Sequence, residues 1–139
     1  MINIIKENFK RALVAKIFSI ITIGTLSFLS FKTQYGLFLV GSFGASMVLV
    51  FGYPESPFAQ PKNVFFGHFI TSLVGVLALN FFPIEQHYLF LQIAVAVGLG
   101  IFVMILLDVT HPPAGGNPIF IILEGSDVLA DVSNISTNF

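Results

Sequence analysis

The sequence predicts an all-α membrane protein with four transmembrane helices and a short C-terminal half-helix, and three observations lead to this class. Hydrophobic residues make up 55% of the 139 residues and charged residues only 9%, whereas soluble domains carry about 25% charged residues. Long apolar runs approach the roughly 20 residues that a spanning helix needs. Two proline-rich polar segments interrupt these runs, at residues 54–63 and 110–118.

Four apolar runs are predicted to span the bilayer: residues 12–31, 35–52, 64–82 and 89–107. Lys16 lies near the start of the first run, where its amine can extend to the interface. The middle of the second run is rich in small residues, which favours a helix that is broken there. After the second proline-rich segment only residues 119–123 are strongly apolar. At about 1.5 Å per residue this stretch cannot cross a bilayer, so it is predicted as a half-helix.

The chain is predicted to form one transmembrane domain, residues 1–123, followed by a polar, acidic tail, residues 124–139. Basic residues cluster before the first span, and Lys32 alone falls on the opposite side. The positive-inside rule therefore predicts a cytoplasmic N-terminus in the inner or plasma membrane. Both proline-rich segments then lie on the cytoplasmic side, where they can pack together. The basic cluster is short and precedes a span, so no nucleic-acid partner is expected.

The first proline segment, residues 54–63, combines helix-breaking prolines with hydrogen-bonding side chains. Non-helical backbone at membrane depth survives only where it lines a cavity or is buried in protein, which marks the segment as a candidate functional region. The alternative is a rigid cytoplasmic turn that ends with Asn63 as the N-cap of the third span. The residues singled out are Pro54, Glu55, Ser56, Pro57, Gln60, Pro61, Lys62 and Asn63.

The second proline segment, residues 110–118, precedes the predicted half-helix. A helix that starts there would direct free N–H groups and its positive end at an anion, as discontinuous helices do in transporters. The alternative is an ordinary connector. Residues 44–51 resemble residues 115–122, and the predicted topology runs them in opposite directions. This is a weak sign of an inverted repeat, for which tight helix packing through small residues is the alternative.

Two histidines, His68 and His111, belong to the cytoplasmic half, and ionisable groups at membrane depth are functional candidates. Asp108 is close enough to orient the His111 ring if the helix between them persists. A bis-histidine haem or metal site is an alternative, but no third ligand or ligand spacing is evident. We therefore predict no metal and no cofactor. No hydrolase, phosphate-loop or zincin motif occurs, so no enzymatic activity is expected.

Four motifs together carry a family resemblance: F-G-A-S at 43–46, P-E-S-P-F-A-Q-P-K-N at 54–63, G-H at 67–68 and H-P-P-A-G at 111–115. In order and spacing the chain resembles the HPP family of small integral membrane proteins. Members in cyanobacteria and chloroplasts are associated with nitrite transport, so the resemblance implies passage of a small inorganic anion. Family proteins usually continue into a further complete span, whereas this chain turns polar at Glu124. Either the sequence is truncated or a partner completes the bundle.

The resulting hypothesis is a transporter or channel for nitrite or a similar anion, acting as a homo-oligomer in the lipid bilayer. Side-chain donors would be Ser42, Ser46, Asn117 and His111, and Lys62 would attract anions to the inner mouth. Glu55, His68 and Asp108 are candidates for proton coupling, and Pro112 and Pro113 shape the second segment. The alternative is a non-transporting membrane scaffold that binds a partner. The predicted substrate-binding residues are Gly41, Ser42, Gly44, Ala45, Ser46, His111, Ala114, Gly115, Gly116 and Asn117.

Overall fold

A computed structural model describes residues 2–32, 41–82 and 85–125. The described chain is helical and contains no strand within those ranges, which confirms the all-α membrane class. The helices are α1 (Ile2–Lys32), α2 (Gly41–Met47), α3 (Pro61–Phe81), α4 (Leu89–Leu106) and α5 (117–125). A π-helical turn, Val48–Gly52, continues α2, and short 3₁₀ turns occupy Pro57–Ala59 and Pro112–Gly116.

Three of the predicted spans are helices that are long and apolar enough to cross a membrane. They are Ile4–Lys32 with a mean hydropathy of 2.0, Pro61–Phe81 with 1.8 and Leu89–Leu106 with 2.7. The second predicted span is described from Gly41 onward as a shorter apolar helix, Gly41–Gly52, and its residues 35–40 lie outside the described residues. The break predicted at the small residues 41–46 does not occur, because these residues form the continuous helix α2, which passes into the π-helical turn at Val48. The predicted half-helix at 119–123 falls inside α5. Most of the predicted tail lies outside the described residues.

Helices α3 and α4 pack through residues spaced four apart, which lie on one face of a helix. The buried residues of α3 are Gly67, Thr71 and Gly75, and those of α4 are Gln92, Ala96, Gly100 and Met104. A Cβ atom at Gly100 would lie 3.2 Å from the Cγ2 of Thr71. Small residues thus let the two helix backbones approach closely, as in other membrane helix pairs.

Gln92 stabilises the C-terminal end of α3 from the neighbouring helix. Its side-chain amide donates to the carbonyls of Ala78 and Phe82, both at 2.8 Å, and the residue is only 4% exposed. The last carbonyls of a helix have no partner within the helix. Gln92 therefore supplies the donors that the end of α3 needs.

Replacing Gln92 with leucine is expected to lower the free energy of unfolding by about 1–3 kcal/mol, because buried carbonyls lose their donors. Unfolding in mixed detergent micelles would measure the change. The matched control is Gln60→Leu, since the amide of Gln60 also donates to two carbonyls but the residue is exposed. Water can replace those bonds, so a loss at Gln60 as large as that at Gln92 would contradict the capping role.

The start of α3 differs from the prediction that Asn63 caps it. The helix begins at Pro61, whose ring suits the first helical position, and Gln60 is the N-cap. Asn63 therefore lies inside the first turn. Its side-chain amide donates instead to the carbonyls of Pro57 at 3.0 Å and Thr110 at 3.2 Å, which joins the two proline segments.

Candidate functional site

The two proline segments pack against each other, as the sequence predicted. The His111 Nδ1 lies 2.7 Å from the Phe58 carbonyl oxygen, and the Lys62 amine donates to the Asp108 carbonyl at 3.4 Å. Helix α4 ends at Leu106, and Asp108 has a φ of 52°, which turns the chain out of the helix. The condition for Asp108 to orient His111 is therefore not met. The Phe58 carbonyl holds the ring instead.

The side chains of the first proline segment hold that carbonyl in place. The Phe58 amide donates to the Ser56 hydroxyl at 3.3 Å, and the Gln60 side-chain amide donates to the carbonyls of Pro54 and Ser56, each at 3.1 Å. Backbone groups that cannot bond within a helix are thus paired locally. In geometry the segment is a rigid turn, one of the two readings that the sequence left open.

Glu55 has a different role from the rest of the first proline segment. Its carboxylate lies 3.1 Å from the Arg11 guanidinium, which also lies 5.6 Å from the centre of the Tyr53 ring. Both charged side chains are about half exposed, and exposed ion pairs contribute little, about 0–1 kcal/mol. This contact links α1 to the first proline segment.

Five polar residues, Ser42, Ser46, His68, His111 and Asn117, form a connected network that we term the Ser46 cluster. The Ser46 hydroxyl lies at its centre, 3.0 Å from His68 Nε2 and 2.8 Å from His111 Nε2. It also lies 3.0 Å from the Ser42 carbonyl oxygen. Ser46 is 2% exposed and His111 is fully buried. The cluster joins α2, α3 and the second proline segment.

Asn117 completes the cluster at the start of α5. Its carbonyl oxygen accepts from the Ser42 hydroxyl at 2.6 Å, and its amide nitrogen lies 3.0 Å from His68 Nδ1 and 3.0 Å from the Ser72 hydroxyl. Four predicted side-chain donors therefore meet in space. They are Ser42, Ser46, His111 and Asn117, and His68 joins them.

Other predicted site residues do not reach the cluster. Gly44 and Ala45 lie on the exposed face of α2, and nothing lies within 4 Å of a Cβ placed at Gly44. The prediction that the second proline segment offers free amides is wrong for Ala114 and Asn117, because these amides donate to the carbonyls of His111 and Ala114. The 3₁₀ turn Pro112–Gly116 uses these donors internally. Pro112 and Pro113 have no N–H group.

Among the glycines of the predicted site, Gly41 is closely packed, whereas Gly115 and Gly116 make ordinary van der Waals contacts. A Cβ at Gly41 would lie 2.9 Å from the ring of Phe120, and one at Gly116 would lie 3.9 Å from the Cβ of Ser42. Gly115 would approach Ile101 at 3.9 Å. The contacts of Gly41 and Gly116 bring α2 against α5 and the second proline segment, so that the Ser46 cluster can form.

Comparison with known proteins decides the family. A family model described as the HPP transmembrane region matches residues 5–137. The chain belongs to the HPP family. Two relatives from Dictyostelium discoideum, each named only as a transmembrane protein, are 36% identical over 85 and 88 residues. These matches cover 61% and 63% of this chain but only 30% and 28% of the relatives, so the chain spans under a third of their length. No solved structure matches it significantly.

Gly67 is a positioning residue of this HPP protein that the sequence pattern did not predict. A Cβ there would lie 2.7 Å from the Cβ of His111 and 3.4 Å from the sulfur of Met104. Only a residue without a side chain lets the second proline segment approach α3 this closely. The available signal was the four-residue spacing of Gly67, Thr71 and Gly75 next to His68.

The surroundings of His111 favour its uncharged form in this HPP protein. Burial lowers the pKa of His111, and the hydrogen bond to the Phe58 carbonyl opposes that effect. A histidine with a lowered pKa in the folded protein stabilises the fold above its ordinary pKa of about 6.5, and that stability is lost as the pH falls. All four ring nitrogens of His68 and His111 are already in hydrogen bonds. As arranged, neither ring offers a nitrogen to a haem iron.

Proposed function

We propose that this HPP protein is a transporter or channel for a small inorganic anion, with nitrite as the substrate. The observation that carries the proposal is the Ser46 cluster, a buried polar network between apolar helices. Polar and ionisable groups inside a membrane protein are costly, and they commonly mark a substrate path. The nitrite transport associated with cyanobacterial and chloroplast members supplies the substrate class.

The donors of the cluster suit a small oxyanion. Ser42, Ser46 and Asn117 carry hydroxyl and amide hydrogens, and nitrite has two oxygen atoms that accept hydrogen bonds. In the described arrangement these donors bond to one another, so the anion would compete with existing bonds. Such competition favours weak, reversible binding, which transport requires because the substrate must also leave.

The proposed setting is the plasma membrane, with the N-terminus in the cytoplasm. Exposed Lys62 then lies at the inner mouth, where its charge would raise the local anion concentration. We further propose a homo-oligomer, because the three spans and two short apolar helices of the described residues provide few walls for a gated path. The proposed activity is movement of an ion without covalent chemistry, and it requires no cofactor.

Uptake of isotope-labelled nitrite into proteoliposomes would test the proposal. The double variant Ser46→Ala and His111→Ala is expected to lower the initial rate about tenfold or more, since it removes the central hydroxyl and one donor, worth about 1.4 kcal/mol or more together. Asn80→Ala is the control, because that side chain is exposed and bonds only to the Val76 carbonyl in its own helix. Equal rates in the double variant and the wild type would remove the site.

The second candidate function, a scaffold that binds a partner, is favoured by the exposure of the first proline segment. Pro54, Glu55, Pro57 and Phe58 are all exposed, although their backbone is rigidly paired. A partner that co-purifies in a fixed ratio, together with an absence of nitrite flux, would support the scaffold. Its loss on Phe58→Ala would locate the docking surface.

A further inference from the structure

The hydrogen-bond partners in the Ser46 cluster fix which atoms carry hydrogen in its neutral state. The Phe58 carbonyl can only accept, so His111 Nδ1 carries a hydrogen, and the Nε2 of a neutral ring is then an acceptor. The Asn117 side-chain nitrogen lies 3.3 Å from the His68 carbonyl, which also only accepts. This orients the amide, which donates to His68 Nδ1. His68 therefore carries its hydrogen on Nε2, the opposite tautomer to His111.

These assignments make a continuous chain of donors through the cluster. Asn117 donates to His68, His68 Nε2 donates to the Ser46 oxygen, and the Ser46 hydroxyl donates to His111 Nε2 at 2.8 Å. His111 Nδ1 in turn donates to the Phe58 carbonyl. Every polar atom along this path is satisfied, so the neutral state is stable as arranged.

The same atoms can accommodate one additional proton without movement of the backbone. A proton from water would bind the free electron pair of His111 Nε2, and the Ser46 oxygen would then accept from both imidazoles. The Ser46 hydrogen would turn to the Ser42 carbonyl, which lies 3.0 Å away. A second proton finds no place, because His68 Nδ1 faces the amide hydrogens of Asn117. The cluster thus has a capacity of one proton.

From this geometry we infer that His68, Ser46 and His111 form a proton-binding site that takes up one proton together with one anion. The inference rests on the proposed anion transport for the identity of the counter-charge. Burial makes an imidazolium at His111 costly, since low-dielectric surroundings disfavour charge. A monovalent anion beside it would neutralise that charge, so proton and anion binding should favour each other reciprocally.

Within residues 2–32, 41–82 and 85–125, none of the described charged side chains outside the cluster forms an ion pair or hydrogen bond with it. Helices α2 and α4 carry no ionisable side chain. On α3, Lys62 bonds to a backbone carbonyl. Asp108 follows α4 and Glu124 lies on α5, and both are exposed. On α1, Arg11 pairs with Glu55, and the four lysines of that helix, Lys6, Lys10, Lys16 and Lys32, are exposed. His68 is the other ionisable group bonded to Ser46.

His68 gives the cluster a route to the surface of the described chain. It is half-buried and lines an open recess of about 440 Å³. The other lining residues are Phe43, Val64, Phe65, Phe69 and Ser72. The ring of His68 therefore connects this recess to the Ser46 hydroxyl and, through that hydroxyl, to His111, since the successive atoms are within hydrogen-bond distance.

Calorimetric titration of nitrite into the full chain in nanodiscs, in two buffers with different ionisation enthalpies, would count the protons taken up. We expect about one proton per nitrite, and an affinity that rises up to about tenfold for each unit of pH decrease. His111→Gln should abolish proton uptake. His87→Gln is the matched control, because His87 is exposed and lies outside the cluster, and it should retain the uptake. Nitrite binding without proton uptake, at an affinity independent of pH, would overturn the inference but leave anion binding intact.

Histidine ¹⁵N NMR without nitrite provides a readout that does not depend on the substrate. At neutral pH we expect His111 protonated on Nδ1 and His68 on Nε2, and on acidification a single proton shared by the pair. The same tautomer at both rings, or two independent titrations, would contradict the proton site even if nitrite binds. Absence of nitrite binding with the expected tautomers would instead remove the proposed substrate.

Discussion

Gly67→Ala is expected to lower the free energy of unfolding by about 3 kcal/mol, near the upper end for overpacking a buried site. The new Cβ would lie 2.7 Å from the Cβ of His111 and 3.4 Å from both the sulfur of Met104 and the carbonyl of Val109. Carbon atoms in contact prefer separations of about 3.5–4.0 Å. The Cβ of His111 cannot move freely, because both nitrogens of its ring are held by hydrogen bonds. The second proline segment would have to shift away from α3.

Gly98→Ala is the matched control, because it makes the same substitution inside a spanning helix where no atom lies within 4 Å of the new Cβ. Alanine is a better helix former than glycine by about 1 kcal/mol, so this variant should be unchanged or slightly more stable. The two substitutions therefore have opposite expected signs. Unfolding in mixed detergent micelles would measure both, and a Gly67→Ala variant as stable as Gly98→Ala would show that the close approach is unimportant.

The sequence was sufficient to predict the class and the pairing of the proline segments. The low charge and the long apolar runs determine that helices span a bilayer, since backbone groups in lipid must bond internally. The two segments fall on the same side because two spans separate them, and the contacts from His111 to Phe58 and from Asn63 to Thr110 confirm that they meet.

The hydrogen-bond partners of the site residues could not be predicted. They depend on local backbone geometry, which the spacing of residues along the chain does not determine. Which residues of α2 face the cluster depends on the rotation of that helix, and Ser42 and Ser46, four residues apart, share the buried face while Gly44 and Ala45 do not. Likewise, the 3₁₀ turn that uses the amides of Ala114 and Asn117 cannot be distinguished from an open loop by its prolines and glycines.

The central role of Ser46 illustrates the same limit. In an apolar run, a serine is equally typical of close packing between helices. Its importance depends on where two distant histidines place their Nε2 atoms, 22 and 65 residues away along the chain. The sequence marked Ser46, His68 and His111 as candidates, but only the three-dimensional arrangement shows that the Ser46 hydroxyl connects the two rings.

Asn117→Leu is expected to destabilise the protein by about 3 kcal/mol, because it removes the side-chain hydrogen bonds of a residue that is 4% exposed. The Ser42 hydroxyl, His68 Nδ1 and the Ser72 hydroxyl would each lose a partner. A buried polar group left unpaired costs about 1–3 kcal/mol, and the three costs are reduced where hydroxyls can turn to backbone carbonyls. The free energy of unfolding in mixed micelles would measure the sum.

Asn80→Leu makes the same substitution on the exposed face of α3, where the amide has a single bond to the Val76 carbonyl. That carbonyl already accepts a backbone hydrogen bond within the helix, so the expected change is below about 0.5 kcal/mol.

Asn117→Leu should also free His68 Nδ1 from its donor, so that this ring can take its own proton and the cluster's capacity rises from one proton to two. If Asn117→Leu has the unfolding free energy of the wild type, Asn117 does not join the helices. If it also keeps a single shared titration, Asn117 does not limit proton binding.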